Sequence, residues 1–168
     1  MERLLFETTS ENTLEEFIRF NQVVARSQKA YWIYRAVVII SILVCSLYLF
    51  IKGDLYGGSI FLIVLVFIVI LWRVLLTTRA RKCWQSNKMM QNMVETFYFY
   101  EDHVEQISPM GNITIHYDQL YKILEDQKHF YLLIAKNQGS IVNKENCKEQ
   151  LIDFIRELKI SVKNRCNA

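Results

Sequence analysis

Three histidines, His103, His116 and His129, recur at intervals of thirteen residues. Imidazole is the commonest metal ligand and the usual proton carrier near neutral pH. A metal site needs the rings to converge with a further ligand, and none of the four cysteines, Cys45, Cys83, Cys147 and Cys166, stands at a Cys/His spacing that supplies one. Half-buried or exposed sheet histidines are therefore expected, and no metal. The pairs Glu101-Asp102 and Glu125-Asp126 are of the type that does general acid–base work, but each falls in an apparent turn, where solvated carboxylates are the ordinary outcome. The chain has no Gly-rich phosphate loop, no Gly-x-Ser-x-Gly and no zinc-protease helix motif. No catalytic or cofactor-binding residue is assigned, no cofactor is expected, and the chain reads as non-enzymatic.

The residues left with a chemical case are cationic. Arg73, Arg79, Arg81, Lys82 and Lys88 give residues 73–93 five positive charges and no acid. Residues 94–160 carry seven basic against eleven acidic residues, so the net charge of +3 is concentrated in a collar. A collar beside a bilayer attracts anionic lipid at about 1 kcal/mol per residue. The plainer reading is that it only orients a neighbouring membrane span. The acidic balance beyond it argues against nucleic acid, which calls for a basic face on the folded domain.

What must position that collar is a pair of uncharged runs, Ala36 to Ile51 and Leu55 to Trp72, separated by Lys52, Gly53 and Asp54. At about 1.5 Å per residue, each run with its flanking aromatic and basic residues crosses a hydrocarbon core roughly 30 Å thick. The second run holds thirteen Leu, Ile, Val or Phe residues and the first eleven. On an insertion scale the thirteen favour the bilayer by roughly 4–8 kcal/mol. Arg35 sits beside Tyr31, Trp32 and Tyr34, where its head group can snorkel, and Trp72 marks the same level on the second span. Arg26, Lys29 and Arg35 precede the hairpin and the collar follows it, which puts both termini in the cytoplasm. The acidic segment of Glu7, Glu11, Glu15 and Glu16 ahead of the first run is unlike a secretory signal. Ser41 and Cys45 form a small-xxx-small pair through which the helices can approach. Free thiols are expected throughout, with Cys83 near enough to the membrane for acylation.

Five segments follow. Residues 1–29 hold a strand at Arg3–Thr8 and an amphipathic helix with Thr9, Ser10 or Asn12 as its cap and a stripe of Leu14, Phe17, Ile18 and Ala25. Residues 30–78 are the hairpin, with spans at about 31–51 and 56–76, and residues 79–93 a basic juxtamembrane helix. Residues 94–160 read as an antiparallel meander: Thr96–Tyr100, His103–Ile107 and Asn112–His116, an ambiguous stretch from Tyr117 to Asp126, then a hairpin of Phe130–Ala135 and Ser140–Val142. Asn143 caps a closing helix with a stripe of Cys147, Leu151, Phe154, Ile155 and Leu158, which leaves Lys144 and Arg156 to solvent. Residues 161–168 are a polar tail, expected to fray.

The Phe97–Tyr100 strand, Tyr117-Asp118 with Leu120 and Ile123, the Tyr131-Leu132-Leu133 strand, and Ile141–Lys144 leading into the last helix resemble the YcxB-like bacterial membrane proteins. The resemblance implies an α+β membrane protein with a two-helix transmembrane hairpin and a small cytoplasmic antiparallel β domain, pleckstrin-homology-like and closed by a C-terminal helix. If the N-terminal strand joins that sheet, the strand count reaches seven. Location at the bacterial cell (inner) membrane follows, but the resemblance supplies no catalytic residue.

Two functions fit this reading. One is a membrane-anchored, cytoplasmic-facing binding or regulatory module of unknown ligand, whose partners are the lipid bilayer and a protein or its own copies. The other is a small membrane resistance or immunity factor acting through its hairpin.

Overall fold

The structure, a computed structural model, describes residues 3–165, apart from the side chain of Met90. Strand β1 (Phe6–Asn12) pairs antiparallel with β2 (Met93–Phe99), from Phe6 opposite Phe99 to Asn12 opposite Met93. β2 pairs with β3 (His103–Ser108), and β3 with β4 (Gly111–His116), which completes a four-stranded antiparallel sheet. Strands β5 (Lys122–Glu125), β6 (His129–Ala135) and β7 (Gln138–Asn143) form a second, three-stranded antiparallel sheet. Period-two alternation explains the first sheet: Phe97 and Phe99 on β2 point inward and are fully buried. They meet Phe130, Leu132 and Val142 of the second sheet under helix α4 (Glu149–Arg165), which contributes Leu151, Ile155 and Val162.

The strand at the N-terminus lies further along the chain than Arg3–Thr8. Thr9, Ser10 and Asn12 stand in its ladder and cap nothing. Helix α1 (Leu14–Ser27) is capped instead by Thr13: the Glu16 amide donates to its Oγ1, while the Thr13 amide donates to the Glu16 carboxylate at 2.9 Å. This reciprocal box satisfies two otherwise orphaned donors, which no residue inside a strand can do. The buried residues of α1 are Phe20 and Val24, absent from the expected stripe. They form a second core with Tyr131, Leu133 and Ile141 on the outer face of the three-stranded sheet. β6 therefore buries alternate side chains on both faces, Phe130 and Leu132 inward and Tyr131 and Leu133 against α1.

Helices α2 (Lys29–Ile51) and α3 (Leu55–Ser86) form an antiparallel hairpin, each long and apolar enough to cross a membrane. Asp54 starts α3 by accepting from the Gly57 amide at 2.8 Å. The close approach of the two helices is not at Ser41 and Cys45, which are exposed. It falls one turn from the tip, where buried Ser46 donates to the Gly58 carbonyl at 2.9 Å. A Cβ on Gly58 would come within 2.6 Å of the Phe50 ring, so any larger residue there has to displace that ring. At about 48 Å, α3 is longer than a hydrocarbon core is thick. Its distal end packs on α1, with Trp84 buried and its ring 5.5 Å from Phe17. The helix stops at Ser86. A 3-10 turn at Lys88–Met90 and Asn92 in the left-handed region (φ 55°) then turn the chain into β2, so residues 79–93 are not one continuous helix.

Two further expectations change. Asn143 caps a 3-10 turn, Lys144–Asn146, and the last helix begins only at Glu149. That helix runs to Arg165, held by buried Val162 and by the Arg165 guanidinium donating to the Tyr117 carbonyl, so the tail is ordered to that point. Cys166 and the remaining tail lie outside the described residues. Tyr117–Asp126 resolves into a 3-10 turn, Tyr117–Gln119, followed by β5.

The α1–α3 seam generates a stability prediction. Trp84→Ala empties a buried site and should cost about 3–5 kcal/mol, whereas Ile113→Ala, on the exposed face of β4, should change stability by less than about 0.5 kcal/mol. Urea denaturation of the full chain in detergent micelles measures both.

Candidate functional site

The five collar cations, Arg73, Arg79, Arg81, Lys82 and Lys88, are all exposed, the first four on α3 and Lys88 in the 3-10 turn after it. None forms an ion pair among the described residues. Their charge is thus not used to hold the fold together. Arg35 is held differently: its Nη1 donates to Tyr31 Oη at 3.0 Å, and its guanidinium lies 5.3–5.6 Å from the ring centres of Tyr31, Trp32 and Trp72. A guanidinium so surrounded gains from each ring face while keeping an edge for water. Tyr34 meets Trp72 edge to face at 5.7 Å, which ties the two helices at that level.

The structure brings two of the three histidines together. In the β3–β4 register His103 stands opposite His116, with ring centres 5.4 Å apart. Asp102 reaches both, at 2.7 Å from His103 Nδ1 and 3.8 Å from His116 Nδ1. The His103 hydrogen bond holds the Asp102 carboxyl below the usual carboxylate range. His103 is buried and stacks on Tyr100 at 4.6 Å. One ligand atom from each of the three residues lies within 4.8 Å of the others. Zinc bonds of about 2.0 Å at tetrahedral angles set ligand atoms roughly 3.3 Å apart, and these three residues supply three of the four ligands a structural zinc takes. His129 takes no part. It is buried at the start of β6, with Nε2 3.4 Å from Glu16 and Nδ1 3.5 Å from Asp126.

The Glu125-Asp126 pair is not a solvated loop. Glu125 ends β5 with its side chain 17% exposed, and accepts from Lys144 Nζ at 2.9 Å, Arg156 Nε at 3.1 Å and Lys159 Nζ at 2.7 Å. Lys144, expected in solvent, is half-buried in this cluster with its ammonium 4.5 Å from the centre of the Phe130 ring. Burial alone would raise the Glu125 carboxyl, but the bonds from Lys159, Lys144 and Arg156 outweigh it and bring the carboxyl down to about 2. Asp126 is likewise lowered against the effect of burial, by the Tyr131 hydroxyl and the Lys128 and His129 amides. Glu125 thereby clamps α4 to the second sheet.

Beside the clamp is a cavity of about 730 Å³ between β5, α4 and the first turn of α2. Its wall includes Lys29, Lys122, Lys159 and Lys163 together with Tyr121 and Glu125. Sequence reasoning missed this group because its members are scattered from residue 29 to 163. The one local signal was Lys159 and Lys163, four apart and so on one face of a helix.

These features define an α+β chain with four helices among the described residues, two of them long and apolar, and antiparallel sheets. Within it, residues 99–159 match the family model described as YcxB-like protein. The chain carries a YcxB-like domain there, from the end of β2 into α4, with the two apolar helices preceding it. No curated protein and no solved structure matches the chain.

The clamp predicts a specific pH dependence. A carboxyl lowered from 4.5 to about 2 contributes stability that is fully present above pH 4.5 and is lost as pH falls toward 2. Glu125→Gln should cost roughly 1–3 kcal/mol at pH 7, discounted for the exposure of Arg156 and Lys159. The variant should also lack the wild type's fall in stability between pH 4.5 and 2 that Glu125 supplies, as read from denaturation midpoints across that range.

Proposed function

We propose that this chain is a non-enzymatic binding or regulatory module anchored in the bacterial inner membrane, with α2 and α3 crossing the bilayer and the β domain held at its cytoplasmic face. The observation that carries this reading is the exposure of the two apolar helices. In their most apolar windows only 6% of residues in α2 and none in α3 are buried, whereas the core helix of a soluble protein is mostly buried. Exposed Val44, Leu47, Ile63 and Phe67 leave a large apolar surface that calls for lipid. Leu55 to Trp72 spans about 26 Å, close to the hydrocarbon thickness, and the Arg35–Trp72 cage falls where an aromatic belt belongs. The collar, which has no ion pair among the described residues, and Lys29 then stand on one side, as the positive-inside rule favours.

The arrangement of four strands, three strands and one C-terminal helix supports a pleckstrin-homology-like fold, with the hairpin set between its first two strands. In such a protein the domain holds a ligand or partner near the membrane, where tethering raises the effective concentration of even a weak site.

Labelling with a membrane-impermeant thiol reagent tests the topology. In a background with Cys45, Cys83, Cys147 and Cys166 replaced by serine, Lys52→Cys at the hairpin tip should react from outside intact cells. Gln85→Cys, near the end of α3, should react only after lysis. Reaction of both in intact cells, or of Gln85→Cys alone, contradicts the reading.

A further inference from the structure

The lysine-walled cavity differs from the collar because lysines from three elements line one half-open volume. Lys29 comes from α2, Lys122 from β5, and Lys159 and Lys163 from successive turns of α4. Glu125 is the one acid in the wall, and its oxygens are already taken by Lys144, Arg156 and Lys159. Lys29, Lys122 and Lys163 have no ion pair among the described residues. Ile123, Leu124 and Val162 make up part of the remaining wall, and a low-dielectric wall strengthens the field of the ammonium groups that share it. Three uncompensated ammonium groups around about 730 Å³ are suited to a phosphate, which lysine binds as a point charge.

The depth of the cavity selects the source of that phosphate. Lys29 precedes Arg35 by six residues, about 9 Å along α2. That is close to the thickness of the headgroup layer, roughly 5–8 Å on each side of the hydrocarbon core. Two bonds fix this first turn. Gln28 Nε2 donates to Asn137 Oδ1 in the β6–β7 turn at 2.8 Å, and Trp32 Nε1 donates to the Arg26 carbonyl at 2.7 Å. Ile33, four residues after Lys29 and so on the same face of α2, is 63% exposed and offers an apolar track for an acyl chain leading away from the cavity.

We infer that this cavity binds the phosphate of an anionic phospholipid headgroup, with Lys29, Lys122 and Lys163 contacting its oxygens. The inference rests on the membrane placement proposed above and adds a ligand class and a site to it. A free phosphate shares the same chemistry and is separated from lipid by the test.

Full-length protein is reconstituted into nanodiscs of phosphatidylcholine with a minority of phosphatidylglycerol, and native mass spectrometry reads the lipid retained on the released chain. The wild type should retain one phosphatidylglycerol in preference to phosphatidylcholine. Lys122→Gln/Lys163→Gln should weaken that retention about tenfold, and by more than the collar variant Arg79→Gln/Lys82→Gln, whose charges add only a diffuse attraction near the surface. Loss of the lipid in the collar variant with retention in the cavity variant overturns the site. Equal retention of the two lipids by the wild type overturns the ligand class. In phosphatidylcholine discs supplied with inorganic phosphate, a phosphate adduct that the cavity variant lacks assigns the cavity to free phosphate and overturns the lipid source. Failure of the membrane reading has its own signature: the chain elutes apart from the discs, and both proposals fall together. Unchanged circular dichroism of the variants excludes misfolding as the cause of lost retention.

Discussion

The pairing of β1 with β2 is the constraint on which the rest depends. Asn12 and Met93 are partners in one ladder, yet the whole helical hairpin lies between them in sequence. Without the hairpin, β1 to β4 would be a simple up-and-down meander. With it, the chain leaves the sheet at one strand end and returns at the neighbouring one. The seven ladder pairs have to hold against the entropy of closing a long loop, a cost that grows only logarithmically with its length. The buried residues Thr8, Ser10 and Asn12 show that β1 belongs to the domain's packing despite its distance in sequence.

The helix α1 makes that arrangement mechanically coherent. One face meets Trp84 and Thr77 of α3, through the Phe17 ring and the Gln22 side chain, and another meets Tyr131 and Leu133 of the second sheet. The hairpin base and the β domain thus share a wedge and are more than joined by linkers. Burial and the Asp126 hydrogen bond both raise the Tyr131 hydroxyl, so it stays protonated and keeps donating to Asp126 across the working pH range. The second sheet is braced on its other side by α4, where Glu125 gathers three cations. Burial also raises the Cys147 thiol, which remains a protonated group beside Thr8 where β1 meets the turn before α4.

What the sequence made legible follows periodicity and local chemistry. The two apolar runs, the β-type run around Phe97 and Phe99, and the stripe containing Leu151 and Ile155 are each visible within about fifteen residues, and each became the corresponding element. The YcxB-like likeness was visible in the same way, and the family match covers residues 99–159 of it. What escaped depends on which distant residues meet. Thr13 wins the cap because Asn12 is already committed to Met93, eighty-one residues away in sequence. Phe20 and Val24 are buried because the second sheet presents Tyr131 and Leu133 to them, so the α1 stripe could not be drawn from α1 alone. Glu125 and Lys144 looked like solvent residues since neither their partners nor the cavity beside them is encoded locally. His103 and His116 were within reach, because the Ser108–Gly111 turn sets the register that places them opposite each other.

The proposed membrane placement requires lipid, not water or protein, around the middle of the hairpin. Nitroxide labels at Val44 and Phe67, both exposed side chains near the centres of α2 and α3, report this directly through their collision rates with oxygen and with a water-soluble nickel chelate. In bilayers oxygen accessibility should be high and nickel accessibility negligible at both positions, with the reverse at Ile113 on β4. Nickel accessibility at Val44 and Phe67 equal to that at Ile113 would contradict that placement.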